Sequence, residues 1–165
     1  MDLVLNPTGA PGSFDGDLSV RDVRIRKAPA VAELINAISV VGLLDQMNGT
    51  GLLFSQADAT FRIGPRAVQI VKGSATGASL GVSLSGLYVF DNKRLDLQGV
   101  VSPVYFLNGI GALFTRTGEG LFGFNYTIKG TAKEPSVSVN PLSILTPGMF
   151  REIFRSAPPT LEPRE

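Results

Sequence analysis

From residue 80 to residue 101 apolar side chains fall on every second position, interrupted by a single turn. Leu80, Val82, Leu84, Gly86, Tyr88 and Phe90 alternate with small residues such as Gly81, Ser83 and Ser85. After Asp91-Asn92-Lys93-Arg94 the phase resumes in Leu95, Leu97, Gly99 and Val101. A period of two places all of these on one side of extended backbone. The pattern predicts an antiparallel hairpin with Phe90 opposite Leu95, Tyr88 opposite Leu97, Gly86 opposite Gly99 and Leu84 opposite Val101.

The same period recurs along the chain. Phe122, Phe124, Tyr126 and Ile128 form a one-faced strand, and Val137 and Val139 continue it after a turn at Lys133-Glu134-Pro135. Phe61 and Ile63 run into the Gly64-Pro65 turn, and Val68 and Ile70 follow it. Phe14, Leu18 and Val20 alternate, then Val23 and Ile25 do so one position out of phase, so a bulge is expected near Asp22. The chain therefore reads as mainly β with a few short helices.

Helical spacing is confined to short stretches. Pro29 suits a first helical position, although Ala28 is a poor cap. Val31, Leu34, Ile35, Ile38 and Val41 then form an apolar stripe, with Val40 and Leu43 apolar on the opposite side. That second apolar side predicts partial exposure and contact with a partner or a membrane. Thr146 and Pro147 open a last short helix whose Met149, Phe150, Ile153 and Phe154 face one way and must dock on something. Residues 103–115 read as irregular or briefly helical. Residues 1–12, with Pro7, Gly9, Pro11 and Gly12, read as a flexible start; 13–155 form one domain, and 156–165 a disordered tail.

Composition narrows the chemistry. Cysteine and histidine are both absent from the 165 residues. That excludes disulfides, thiolate nucleophiles, a Ser-His-Asp relay and Cys or His metal ligands. Fifteen basic and fourteen acidic residues leave a net charge of +1, which gives no pull toward nucleic acid. No apolar run reaches the roughly 18 residues of a membrane span; the longest, Leu34 to Leu44, contains Asn36 and Ser39. The first residues lack the basic start and apolar core of a signal peptide. Such a chain reads as cytoplasmic when taken alone, and as envelope-located if cut from a longer secreted protein.

Local motifs add little. Gly118-Glu119-Gly120-Leu121-Phe122-Gly123 matches GxGxxG, but an aromatic strand follows where a helix should meet the phosphate. Asp15-Gly16-Asp17 lacks the later ligands of a calcium loop and reads as a solvated strand start. Arg21, Arg24, Arg26 and Lys27 are either the wet face of a strand or an anion contact. Asp91 and Asp96 flank a turn, where aspartate is ordinary. No residue set stands out for proton relay near neutral pH, so no enzymatic activity and no cofactor or metal is expected. The apolar strand faces remain. Alternation reports burial without saying what covers the face. On pattern alone a closed core is favoured over an open groove.

The order of several segments resembles the C-terminal region of AsmA-like envelope proteins, the bridge-like lipid-transfer group of YhdP and TamB type. The likeness runs from about Phe14 to Phe154. It is carried by Ala28-Pro29-Ala30 leading into Ile38-Ser39-Val40-Val41-Gly42-Leu43-Leu44, by Gly49 to Phe54, and by Leu97-Gln98-Gly99-Val100-Val101-Ser102-Pro103-Val104-Tyr105 with Asn108. The most specific part is Gly118 to Gly123 through Tyr126, Gly130, Pro135 and Val139-Asn140-Pro141-Leu142-Ser143 to Thr146-Pro147-Gly148.

The resemblance implies an antiparallel curled sheet, an open β-groove ending in a short helix. It implies a periplasmic location, with an inner-membrane anchor in the full-length protein that this sequence lacks, and a part in moving phospholipid toward the outer membrane. It carries no catalytic residues. With it, the leading expectation becomes a lipid groove floored by Leu80, Val82, Leu84, Tyr88, Phe90, Leu95, Leu97, Val101, Phe122, Phe124, Tyr126 and Ile128. Val40, Leu43, Met149, Phe150 and Phe154 are the expected membrane or partner contacts. Partners are phospholipid, membrane and envelope proteins, without nucleic acid. The rival expectation is a closed β-sandwich that scaffolds an envelope protein and binds no lipid.

Overall fold

The computed structural model describes residues 1–26, 28–38, 50–78, 80–103 and 123–140. Eight strands and one helix follow one another as β1 (Asp2–Pro7), β2 (Phe14–Ile25), α1 (Pro29–Ala37), β3 (Leu52–Ile63), β4 (Ala67–Gly77), β5 (Leu80–Val89), β6 (Arg94–Pro103), β7 (Phe124–Thr131) and β8 (Pro135–Asn140). The strands form a single antiparallel sheet in sequence order, β1 to β8. The sheet is curled and not closed. The expected last helix, with Met149, Phe150 and Phe154, lies outside the described residues, as do Val40, Leu43, Phe122, the 103–115 segment beyond Pro103 and the tail.

Residues 2–7 correct the expectation of a flexible start. They pair with β2 from Asp2↔Ser19 to Pro7↔Phe14 without a shift. The Pro and Gly cluster after them makes the turn rather than a frayed end, and Pro7 is tolerated because it closes a strand at the sheet edge. Leu3 and Leu5 alternate on one face of β1, opposite Leu18 and Gly16.

The β5–β6 hairpin is present with its faces as expected, but its register is two residues away. Tyr88 pairs Leu95, Gly86 pairs Leu97, Leu84 pairs Gly99 and Val82 pairs Val101. The turn begins one residue earlier than the sequence suggested. Phe90 leaves the ladder and donates its N–H to the Arg66 carbonyl at 2.9 Å. Lys93 then takes a left-handed φ of 55°, and Arg94 N–H donates to Asn92 Oδ1 at 3.1 Å. A slide of two keeps every side chain on its face, which is why alternation is blind to it.

The phase change near Asp22 is real and spans two strands. Asp22 itself is left-handed, at φ 55°, while β2 and β3 stay in register on either side of it, Arg21↔Gln56 and Val23↔Phe54. The β3–β4 ladder shifts at the same level, between Phe54 and Gln56, where Ser55 Oγ donates to the Thr76 carbonyl at 2.9 Å. A second shift in β4 falls between Ile70 and Gly73. Such irregularities raise local twist and bend the sheet.

α1 reports the curl. It follows β2 in sequence yet packs against β8. Six strand spacings of about 4.8 Å would hold β2 and β8 roughly 29 Å apart in a flat sheet, and a nine-residue helix is only about 13.5 Å long. The sheet must therefore bend round so that α1 reaches both. The helix starts at Pro29 behind an Ala28 that makes no side-chain cap. Its stability comes from burial: Leu34 and Ile35 pack into one cluster with Leu52, Phe54, Leu80, Val101 and Tyr126.

Candidate functional site: the inner face of the sheet

Residues paired across antiparallel strands share a face, so the register traces each face through the whole sheet. One trace runs Leu5–Gly16–Phe61–Ile70–Gly86–Leu97–Ile128–Val137 from β1 to β8. A second runs Leu3–Leu18–Ala59–Gly73–Leu84–Gly99–Tyr126–Val139. Among the described residues, no Asp, Glu, Lys or Arg occurs on this inner face at a paired position. The outer face carries the charges. Arg62 and Asp15, direct cross-strand partners, form an ion pair at 2.7 Å. The guanidinium hydrogen bond holds the Asp15 carboxyl below its ordinary pKa, a surface effect. Thr60 donates to its partner Asp17 at 2.8 Å. Asp15 and Asp17 thus lie on the polar side of β2, as expected of a solvated strand start, while Gly16 between them faces inward.

Of the expected groove residues, Leu80, Leu97, Val101, Tyr126 and Ile128 are buried, while Val82, Leu84, Tyr88, Leu95 and Phe124 are half-buried. Phe90 sits in the turn, 38% exposed, its ring edge-on to Tyr88 with centroids 5.9 Å apart. The inner face is therefore unevenly covered. At the α1 end Ile35 and Val101 are fully buried, and that end is sealed. At the β1–β2 side Leu3, Leu5 and Phe14 keep 48%, 45% and 37% of their surface exposed. The sequence reading missed the half of the face on β1–β4, including Leu5, Leu18, Phe61 and Ile70. The alternation of Leu18, Phe61 and Ile70 was visible, but nothing in sequence joined those strands to the β5–β7 stripe.

The middle of the inner face is lined by small residues: Ala57, Ala59, Gly73, Ala75, Gly86 and Gly99. Two of them are required. Gly86 has φ 135°, and a Cβ there would overlap the Asp96 carbonyl oxygen. A Cβ at Gly99 would overlap the Ser83 carbonyl oxygen and stand 2.8 Å from the Tyr126 hydroxyl. The Tyr126 hydroxyl passes over Gly99 and donates to that Ser83 carbonyl at 2.8 Å. Val100 N–H goes to Ser83 Oγ at 3.0 Å. One tyrosine thus ties β5 to β7 across β6 and satisfies the hydroxyl it buries. By contrast, a Cβ at Gly81 would come no nearer than 3.8 Å to the Ser102 oxygen.

Burial pushes the Tyr126 phenol well above its ordinary pKa, so folding favours its neutral form. The native state then holds a proton that the unfolded chain releases above about pH 10. Stability is fully present below that pH and falls as pH rises beyond it. Tyr126→Phe should cost about 1–2 kcal/mol at neutral pH, because the Ser83 carbonyl loses its donor. It should also flatten the alkaline decline. Urea midpoints at pH 7 and above pH 10 check both.

A small open pocket of about 110 Å³ lies between β6, β7 and β8, lined by Gln98, Asn125, Thr127, Ser138 and Asn140 together with Gly99 and Tyr126. Its lining carries no charged side chain. Among the described residues, no group of His, Cys, Asp and Glu could hold a metal ion, and no helix is long and apolar enough to cross a membrane. Comparison with family models, curated proteins and solved structures finds no match to this chain.

Proposed function

We propose that this chain supplies a section of an apolar β-groove that carries phospholipid acyl chains between the inner and outer membranes of a cell envelope. The observation behind this reading is the uncharged inner face, continuous over eight antiparallel strands of a sheet that does not close. Ten residues of strand span roughly 33 Å, the scale of a long acyl chain. Transfer would be passive. Each methylene laid against the face contributes about 0.8 kcal/mol, and headgroups stay in water at the open seam. Side chains of similar character along the path, with small residues at its centre, let a chain slide without a deep trap. No catalytic group is assigned. The sealed α1 end favours a second reading, a structural envelope module that binds no lipid.

A photocrosslinker separates the two. Placed at Phe61 or Phe124 on the inner face, it should capture phospholipid in cells. Placed at Thr60, on the outer face, it should capture far less. Absence of lipid at both inner positions in a folded chain sinks the groove and leaves the structural module.

A further inference from the structure

Edge strands of natural sheets are normally protected by a lysine, a bulge, an inward-pointing charge or a covering helix. At one edge of this sheet β8 has α1 packed against it. The other edge, β1, has β2 on one side and, among the described residues, no strand on the other. All six of its residues are exposed. It pairs with β2 in unbroken register, so no bulge twists it away. Its centre, Leu3-Val4-Leu5, is apolar, with Val4 54% exposed. Asp2 and Pro7 are the only deterrents, and they stand at its two ends.

The geometry points to a second copy of this chain as the occupant, with β1 running antiparallel to itself and Val4 on the two-fold axis. This rests on the strand's pattern and not on lipid binding. Only registers that pair odd residues with odd ones keep Leu3 and Leu5 on the inner side. Centring on Val4 sets Leu3 opposite Leu5, Val4 opposite Val4, and Asp2 opposite Asn6, whose amide can donate to the carboxylate. Centring on Leu3 puts Asp2 opposite Val4. Centring on Leu5 brings Pro7, which has no N–H, into the ladder. The Val4 register is therefore self-complementary, as an isologous interface must be. Backbone groups match as well, since residues of equal parity point their N–H and C=O the same way. A net charge of +1 gives little repulsion between copies. A ladder of about five residues per strand falls well below a standard interface of about 1,600 Å², so the dimer should be weak, roughly micromolar or weaker. The two inner faces would then form one apolar surface through the axis.

Sedimentation equilibrium of the whole chain over a concentration series should show monomer and dimer. Val4→Lys sets two like charges face to face and should raise the dissociation constant about tenfold or more. Val4→Glu should do the same, and mixing the two variants should restore dimer as a one-to-one heterodimer. Val4 is exposed, so neither change should unfold the monomer. The chain has no native cysteine. Val4→Cys should therefore form a single cross-axis disulfide, directly opposite residues lying about 4.5–5.5 Å apart. Val71→Cys, equally exposed on β4, should not. A chain that stays monomeric, a dimer indifferent to Val4→Lys, or equal cross-linking at Val71 overturns the proposal. Protection of β1 amides in particles with one copy also overturns it, in favour of a strand from elsewhere.

Discussion

Replacing Gly99 with alanine should cost roughly 3–5 kcal/mol, a loss otherwise seen for severe core mutations. The added Cβ would occupy the space where the Ser83 carbonyl and the Tyr126 hydroxyl meet. Neither neighbour yields cheaply. The carbonyl is part of the β5 backbone, and the hydroxyl belongs to a side chain only 3% exposed. Moving either breaks the 2.8 Å bond between β7 and β5 and leaves a half-buried carbonyl without that donor. Against a total stability of about 5–15 kcal/mol, such a loss leaves little margin. Gly99→Val should prevent folding. Gly81→Ala is the matched control, because its Cβ meets nothing closer than 3.8 Å; it should stay within about 0.5 kcal/mol or stabilise slightly. Urea unfolding with unchanged m-value decides. Equal midpoints for Gly99→Ala and Gly81→Ala would show that the pinch between β5, β6 and β7 carries no weight.

Ile35 is the second position of large effect. It is fully buried at the point where α1 seals the inner face and meets β8. Ile35→Ala should cost about 2–5 kcal/mol, through lost transfer energy and the cavity left behind. Ile35→Asp would bury an unpaired carboxylate and should abolish cooperative unfolding. The damage should spread in a defined direction. α1 has no side-chain cap and nine residues cannot hold a helix alone, so amide exchange in α1 should become fast. Exchange in β8, which the helix covers, should rise next, while the β5–β6 hairpin keeps its protection. Substituting the exposed neighbour Asn36 by alanine should shift stability by no more than about 0.5 kcal/mol. Uniform loss of protection across all strands would mean that α1 is an integral part of the sheet's cooperative unit and not a separate plug.

The inner face bears on both substitutions. Gly99 lies at its centre and Ile35 at its sealed end. Stability and the proposed lipid path therefore share side chains, and loss of crosslinking in a destabilised variant says nothing about binding. The crosslinking positions Phe61 and Thr60 avoid this, since neither touches the Ser83–Tyr126 contact nor α1.

Much of the architecture was legible in the residues themselves. Period-two alternation identified β2 to β8 as strands, and it placed Leu84, Tyr88, Leu97 and Ile128 on one side of them. It did so because side-chain direction in a strand is set by local backbone geometry alone. The phase slip at Asp22 was legible for the same reason. Whole-chain properties were not. The β5–β6 register differs by two residues because one N–H, that of Phe90, finds the Arg66 carbonyl on a third strand. A shift by two conserves every face, so alternation carries no trace of it. β1 was hidden because five or six residues beside a Pro and Gly cluster give little local signal, and only pairing with β2 makes them a strand. The crowding that requires glycine at 86 and 99 but not at 81 was not legible either, since a glycine's need for space depends on which carbonyl crosses it. The curl that brings β8 to α1, and with it the division of one apolar face into a sealed end and an exposed side, comes from contacts between residues a hundred positions apart. Alternation determines which side of each strand is apolar; only the assembled sheet decides how much of that side is covered.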